Sequence, residues 1–121
     1  MDKRARGQFF ESMAKTYLCQ QGLTPIIENF RSRWGEVDLI MRDADTLVFT
    51  EVRFRGTGSF TSGALSVDMR KQRKLCKTAA AYLASNARAN TPARFDVVSI
   101  AQKAGPDEFA IDWIKNAFEC H

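Results

Sequence analysis

At 121 residues, 45% of them hydrophobic, the chain has room for one domain with a real core, able to bury about 60 to 70% of its unfolded surface, and not for two. Its 18 Lys and Arg against 14 Asp and Glu give a net charge of +4, which suits a polyanionic partner without requiring one. No run approaches the about 18 apolar residues of a membrane span, and the N-terminal MDKRARGQFF lacks the apolar core of an export signal. Cys19, Cys76 and Cys120 are odd in number, far apart and, with a single histidine, match no zinc spacing. A single domain over residues 1–121, in a reducing cytoplasm, is the expectation.

Taken in order, Phe10, Met13, Ala14, Tyr17 and Leu18 recur at helical spacing, which predicts a helix over residues 5–21 with Gly22 as its stop and Phe9, Phe10 and Tyr17 as core. Glu11 falls off the centre of that stripe, and periodicity alone makes it a solvated first-turn carboxylate. Residues 23–31, with Pro25 near the start, read as a strand. The turn over 32–35 passes through Gly35, which supplies a conformation other residues resist, into GEVDLI. Asp43-Ala44-Asp45-Thr46 then turns the chain back into LVFTEVRFR, completing an antiparallel three-stranded meander. Trp34, in a turn between basic residues, has two readings: a nucleic-acid contact, or cover for the sheet edge, which carries more weight.

Residues 56–66, GTGSFTSGALS, read as a flexible loop beside the hairpin, with Phe60 either a wedge or an anchor. Ser66 is the expected N-cap of a second helix to about residue 86, with Val67, Leu75, Ala79, Tyr82 and Leu83 on its apolar side. Arg70, Arg73, Lys74 and Lys77 fall at three- and four-residue spacing on one face, with Lys71 beside them. Such a face is ordinarily just solvated, but next to an acidic site it favours contacts to a phosphate backbone, with Arg55 as a further contributor. A connection over 87–92 leads to a strand over 94–101, and the strand, helix, strand order predicts a parallel pairing with LVFTEVRFR. Asp96 is expected to pair with Arg94. After a turn at 105–107 come a last strand over 109–113 and a tail that ends in an inert His121.

The hairpin carries acids where strands carry core residues. Glu51 and Arg53 share one parity, and Glu36, Asp38 and Ile40 share another face of the first run. Both faces of LVFTEVRFR are largely apolar, so Glu51 is expected in or beside a buried region and needs a partner. The hairpin can lay Asp38 beside it. Two carboxylates about 4 Å apart repel by about 4 kcal/mol at an effective dielectric near 20, so one takes a proton or a cation joins them. With hard oxygen ligands, Mg2+ or Mn2+ is the natural candidate. Glu36 is either an additional ligand or a strand-end carboxylate near Arg31, Arg33 or Arg42, the reading modestly favoured.

GQFFESMAKTYLCQQG, GEVDLI, VFTEVRFR, SVDMRKQRKL, RFDVVSI and IDWIKNAF, in that order, span nearly the whole chain. Together they resemble the small bacterial YraN-like proteins of the UPF0102 group, which are similar to Holliday-junction resolvases with a restriction-endonuclease-like, PD-(D/E)xK core. The resemblance implies an α/β fold with a mixed sheet of about five strands and two main helices. It also implies a metal-dependent endonuclease acting on branched DNA, in which Asp38, Glu51 and Glu11 supply carboxylates, the Val52 carbonyl is a further ligand, and Arg53 takes the motif's lysine position. Two positions depart from the motif: Glu36 stands where it has proline, and Arg53 where most nucleases of this fold have lysine. A guanidinium keeps its proton, so Arg53 is expected to hold phosphate oxygens or the attacking water rather than act as base. Resolving a four-way junction needs two sites, hence a homodimer. The alternative is a nucleic-acid-binding protein that keeps the fold without turnover.

Overall fold

The computed structural model describes residues 1–56, 67–86 and 90–120. Asp2 accepts a hydrogen bond from the Ala5 N–H at 2.8 Å and caps α1 (Lys3–Gln20). Gly22, at φ +101°, takes the left-handed turn that ends it. There follow β1 (Thr24–Ser32), β2 (Gly35–Asp43), β3 (Thr46–Arg55), α2 (Met69–Ser85), β4 (Ala93–Gln102) and β5 (Phe109–Phe118). The strands form one mixed sheet in sequence order. Every neighbouring pair is antiparallel except β3 and β4, which run parallel as the intervening helix requires.

The two helices cover opposite faces of this sheet. Along β3, Leu47 and Phe49 join Leu75, Ala79 and Tyr82 of α2, whereas Val48 joins Phe10, Ala14 and Leu18 of α1. A strand covered on both sides needs apolar residues at both parities, which is why residues 47–50 are all buried. The α/β expectation therefore holds, with five strands and two helices as anticipated.

Several local expectations are corrected. Phe9 is 41% exposed and packs edge-on to Phe109 at the surface, because the buried strip of α1 is only one residue wide per turn. Asp68, not Ser66, caps α2: its carboxylate accepts from the Lys71 N–H at 2.9 Å, and the helix starts at Met69. The last strand continues to Phe118, since Phe95 and Phe118 pair across the sheet and stack at 4.9 Å. The cysteines, far apart in sequence, are not all free: α2 packs over the sheet so that Cys76 meets Cys120 in a disulfide with the two Cα atoms 5.9 Å apart. Sequence distance was no guide to spatial distance, and the bond runs against the reducing environment expected from cysteine count. Cys19 is free and exposed. No helix among the described residues is long and apolar enough to cross a membrane. The loop reading of residues 57–66, including Phe60, and the reading of His121 lie outside the described residues.

Asp96 does what its neighbours predicted. Its buried carboxylate accepts from Arg94 at 3.0 Å, from the Trp113 indole at 2.9 Å and from the Asn116 N–H at 2.9 Å. That set ties β4 to the irregular stretch of β5, where Asn116 sits at φ +51°.

Candidate active site

Backbone bookkeeping locates the site. The ladder between β2 and β3 ends at Leu39–Thr50, while β3 continues to Arg55 against β4, so the two inner strands part company below that pair. The Val52 N–H loses its partner on β2, and an orphaned amide is costly. Asp38 supplies the replacement, its Oδ2 accepting that N–H at 2.8 Å. The carbonyl of a strand residue leaves on the same edge as its N–H, so the Val52 carbonyl faces the Asp38 side too.

Glu51 enters the same fork and is 5% exposed. Its partner is Lys71 on the first turns of α2, whose Nζ lies 2.8 Å from Glu51 Oε1; Arg53 Nη1 stands at 3.9 Å. The short contact is with the lysine. Burial, the Glu51 charge and, more weakly, Glu11 push the Asp38 carboxyl up from 3.8 to about 8, against the Val52 N–H and Lys71, which favour its ionised form. Asp38 and Glu51 are therefore the neighbours that the hairpin register implied.

Glu11 reaches towards this fork from α1. Burial raises its pKa, a hydrogen bond from the Asn29 side chain lowers it, and Glu36, Glu51 and Glu28 raise it. It shares an open cleft of about 490 Å³ with Lys3, Arg4, Asn29, Arg31 and Glu36. Glu36 pairs with Arg31 at 3.6 Å, as the strand-end reading had it. The expected strict alternation of Glu36, Asp38 and Ile40 does not survive: Val37 and Ile40 pack in the same core and Leu39 in the opposite one, so the pleat is interrupted at Asp38. Asn29, level with Asp38 on β1, has φ +55°, the left-handed region that asparagine tolerates better than most residues.

Two groups at the fork were not read as members of the acidic cluster. Asn29 could have been noticed as a poor strand former in mid-strand. Lys71 was counted with the outer basic face, yet it stands one turn before Leu75 and two before Thr78 and Ala79, on the stripe that faces the sheet. Arg70, Arg73, Lys74 and Lys77 are exposed, as anticipated, and Arg55 is half-buried at the end of β3. The carboxylate oxygens and the Val52 carbonyl are the donor type that Mg2+ or Mn2+ takes. Among the described residues, no three Asp, Glu, His or Cys side chains are grouped closely enough to hold a metal ion. A cavity of about 700 Å³ between α2 and the β4–β5 edge contains none of these residues.

A mixed sheet whose inner strands part around a carboxylate pair, faced by a lysine from the crossover helix, places the chain among α/β proteins with an acidic site at a strand fork. The family follows from comparison: residues 10–100 match the model of the uncharacterised protein family UPF0102, and the chain belongs to that family. A UPF0102 protein of Aliivibrio fischeri strain MJ11 is 48% identical over 118 residues, covering 96% of this chain and 93% of that protein. One of Nitrosomonas europaea is 45% identical over 114 residues, covering 94% and 93%. A third, of Pseudomonas putida, is 44% identical over 117 residues, again covering 94% and 93%.

Proposed function

We propose that this protein is a metal-dependent endonuclease that hydrolyses phosphodiester bonds in branched or structured DNA, such as a four-way junction. The observation that carries the reading is the 2.8 Å contact of the Lys71 amine with Glu51, beside an Asp38 whose pKa is raised. The resemblance left the motif's lysine position to an arginine; α2 brings an amine to the same acids. Asp38 and Glu51, joined by Glu11 and the Val52 carbonyl, would hold Mg2+ or Mn2+. The ion, when bound, makes water more acidic and offsets charge on the phosphate.

The chain's own residues do the rest. Lys71 pairs with Glu51 and is placed to hold the attacking water beside the acids. Arg53 binds a non-bridging phosphate oxygen. Arg70, Arg73, Lys74 and Lys77 lie along the exposed side of the same helix and take the flanking backbone, which makes binding sequence-blind and salt-sensitive. Cleavage at two strands of a junction calls for a homodimer.

The test is incubation of a labelled four-way junction, a flap and a plain duplex with the purified protein and Mg2+ or Mn2+, beside Glu51→Gln and Lys71→Met. Metal-dependent nicking that both variants lose by a factor of about 10² or more supports the reading. A second reading, a DNA-binding protein without turnover, draws on Lys71 and Arg53 already flanking Glu51 and on the lack of a three-ligand cluster among the described residues. Tight binding without cleavage, indifferent to Mg2+ and to Asp38→Asn, would select it.

A further inference from the structure

The turn between β1 and β2 sets an aromatic ring against the basic face of α2. Ser32 Oγ accepts the Trp34 N–H at 3.0 Å and bonds Thr78 Oγ1 of α2 at 3.2 Å, so the turn is tied to the helix. Gly35, at φ +150°, takes a backbone conformation that other residues resist, and a Cβ there would make an ordinary contact with the Lys74 Cβ at 3.7 Å. Trp34 is 39% exposed. The Arg33 guanidinium carbon lies 4.5 Å from its ring centroid and Lys77 Nζ lies 4.7 Å from it. Arg33, Trp34, Arg70, Arg73, Lys74 and Lys77 line a pocket of about 430 Å³, five cations and one aromatic, with no carboxylate among the described residues.

A sheet-edge cover would have its ring packed under apolar side chains, whereas this ring is exposed and flanked by charges. From this juxtaposition we infer that the pocket binds an unpaired nucleotide of a nucleic-acid strand, its base stacked on Trp34 and its flanking phosphates held by Arg70, Lys74 and Lys77. The occupant follows from charge and shape. Five cations select a polyanion, and a base is the flat group that such a strand presents to an aromatic face. The exchange is favourable, since an exposed cation–π contact is worth about 2- to 5-fold in affinity and a base–aromatic stack about 5- to 150-fold. A displaced Lys77 still has a phosphate to bind. Arg70 to Lys77 spans about 10 Å along the helix axis, long enough for more than one phosphate. Lys71, at the acidic fork, is one turn from Lys74, so the pocket adjoins the proposed catalytic groups. The inference rests on the nuclease reading for its partner and sharpens it: the preferred substrate carries unpaired nucleotides beside the scissile duplex.

The test does not depend on cleavage. Fluorescence anisotropy in EDTA compares a labelled fork with an unpaired oligo(dT) arm against a blunt duplex of equal length. The wild type should prefer the fork by 5-fold or more; Trp34→Ala should abolish that preference while duplex affinity stays within 2-fold, and Trp34→Phe should keep most of it. An oligo(rU) arm that binds as well as oligo(dT) also supports the inference, because stacking and phosphate contacts do not read the sugar. No preference in the wild type, an equal loss on both substrates with Trp34→Ala, or thymidine monophosphate competing as well as the oligonucleotide overturns it. A preserved preference without metal-dependent cleavage would sink the nuclease reading alone.

Discussion

At the level of single residues, Lys71 and Asp38 decide what the fork can do. Removing the ammonium with Lys71→Met leaves Glu51 buried beside Asp38 with only the longer Arg53 contact, and should cost on the order of 1 to 3 kcal/mol at pH 8 in urea denaturation. The double change Lys71→Met with Glu51→Gln should recover most of that loss, because both partners are then neutral. Recovery absent from the double variant would mean that Lys71 acts through packing instead. Asp38 has the opposite sign. Its pKa is raised in the fold, from 3.8 to about 8, so the native state holds a proton that the unfolded chain releases first. Stability of the metal-free protein therefore falls as pH rises between about 4 and 8 and levels off above. Asp38→Asn, which can still accept the Val52 N–H, should match the wild type near pH 4 and exceed it by on the order of 1 to 3 kcal/mol at pH 8 in EDTA. Parallel curves of the two proteins across that range would refute the charge-crowding account.

Among the elements, α2 carries most consequence, since one face holds Lys71 and the core and the other holds the cations. Its start is fixed by Asp68, and Asp68→Ala should cost about 1 kcal/mol of stability and loosen the first turn, where Lys71 sits. β4 and β5 depend on Asp96 in the same way but more strongly. Asp96→Ala strips a half-buried Arg94 of one carboxylate, leaving Asp43, and also deprives the Trp113 indole and the Asn116 amide, so a loss of about 3 to 5 kcal/mol is expected by denaturation. A cost below 1 kcal/mol would show that solvent reaches these groups.

Across the whole molecule, the disulfide closes a loop of 44 residues between α2 and the end of β5. Chain-entropy reasoning assigns such a closure about 4 kcal/mol. Reduction, or Cys76→Ser without reductant, should lower the urea midpoint accordingly, and equal midpoints would mean that packing of Phe118 and its neighbours holds the strand unaided. The sheet with its two helices was legible in the chain because its signals are local: helical spacing in α1 and α2, the Asp43–Thr46 turn, and unbroken apolar runs in β3 and β4. The acid pair was legible too, since Asp38 and Glu51 interrupt runs that otherwise exclude charge. Lys71 at Glu51, Asn29 at Glu11, Trp34 beside the α2 cations and Cys76 at Cys120 needed the tertiary structure. Each joins residues whose sequence separation no periodicity spans, and only the packing of helices on a parting sheet brings them within a few ångströms.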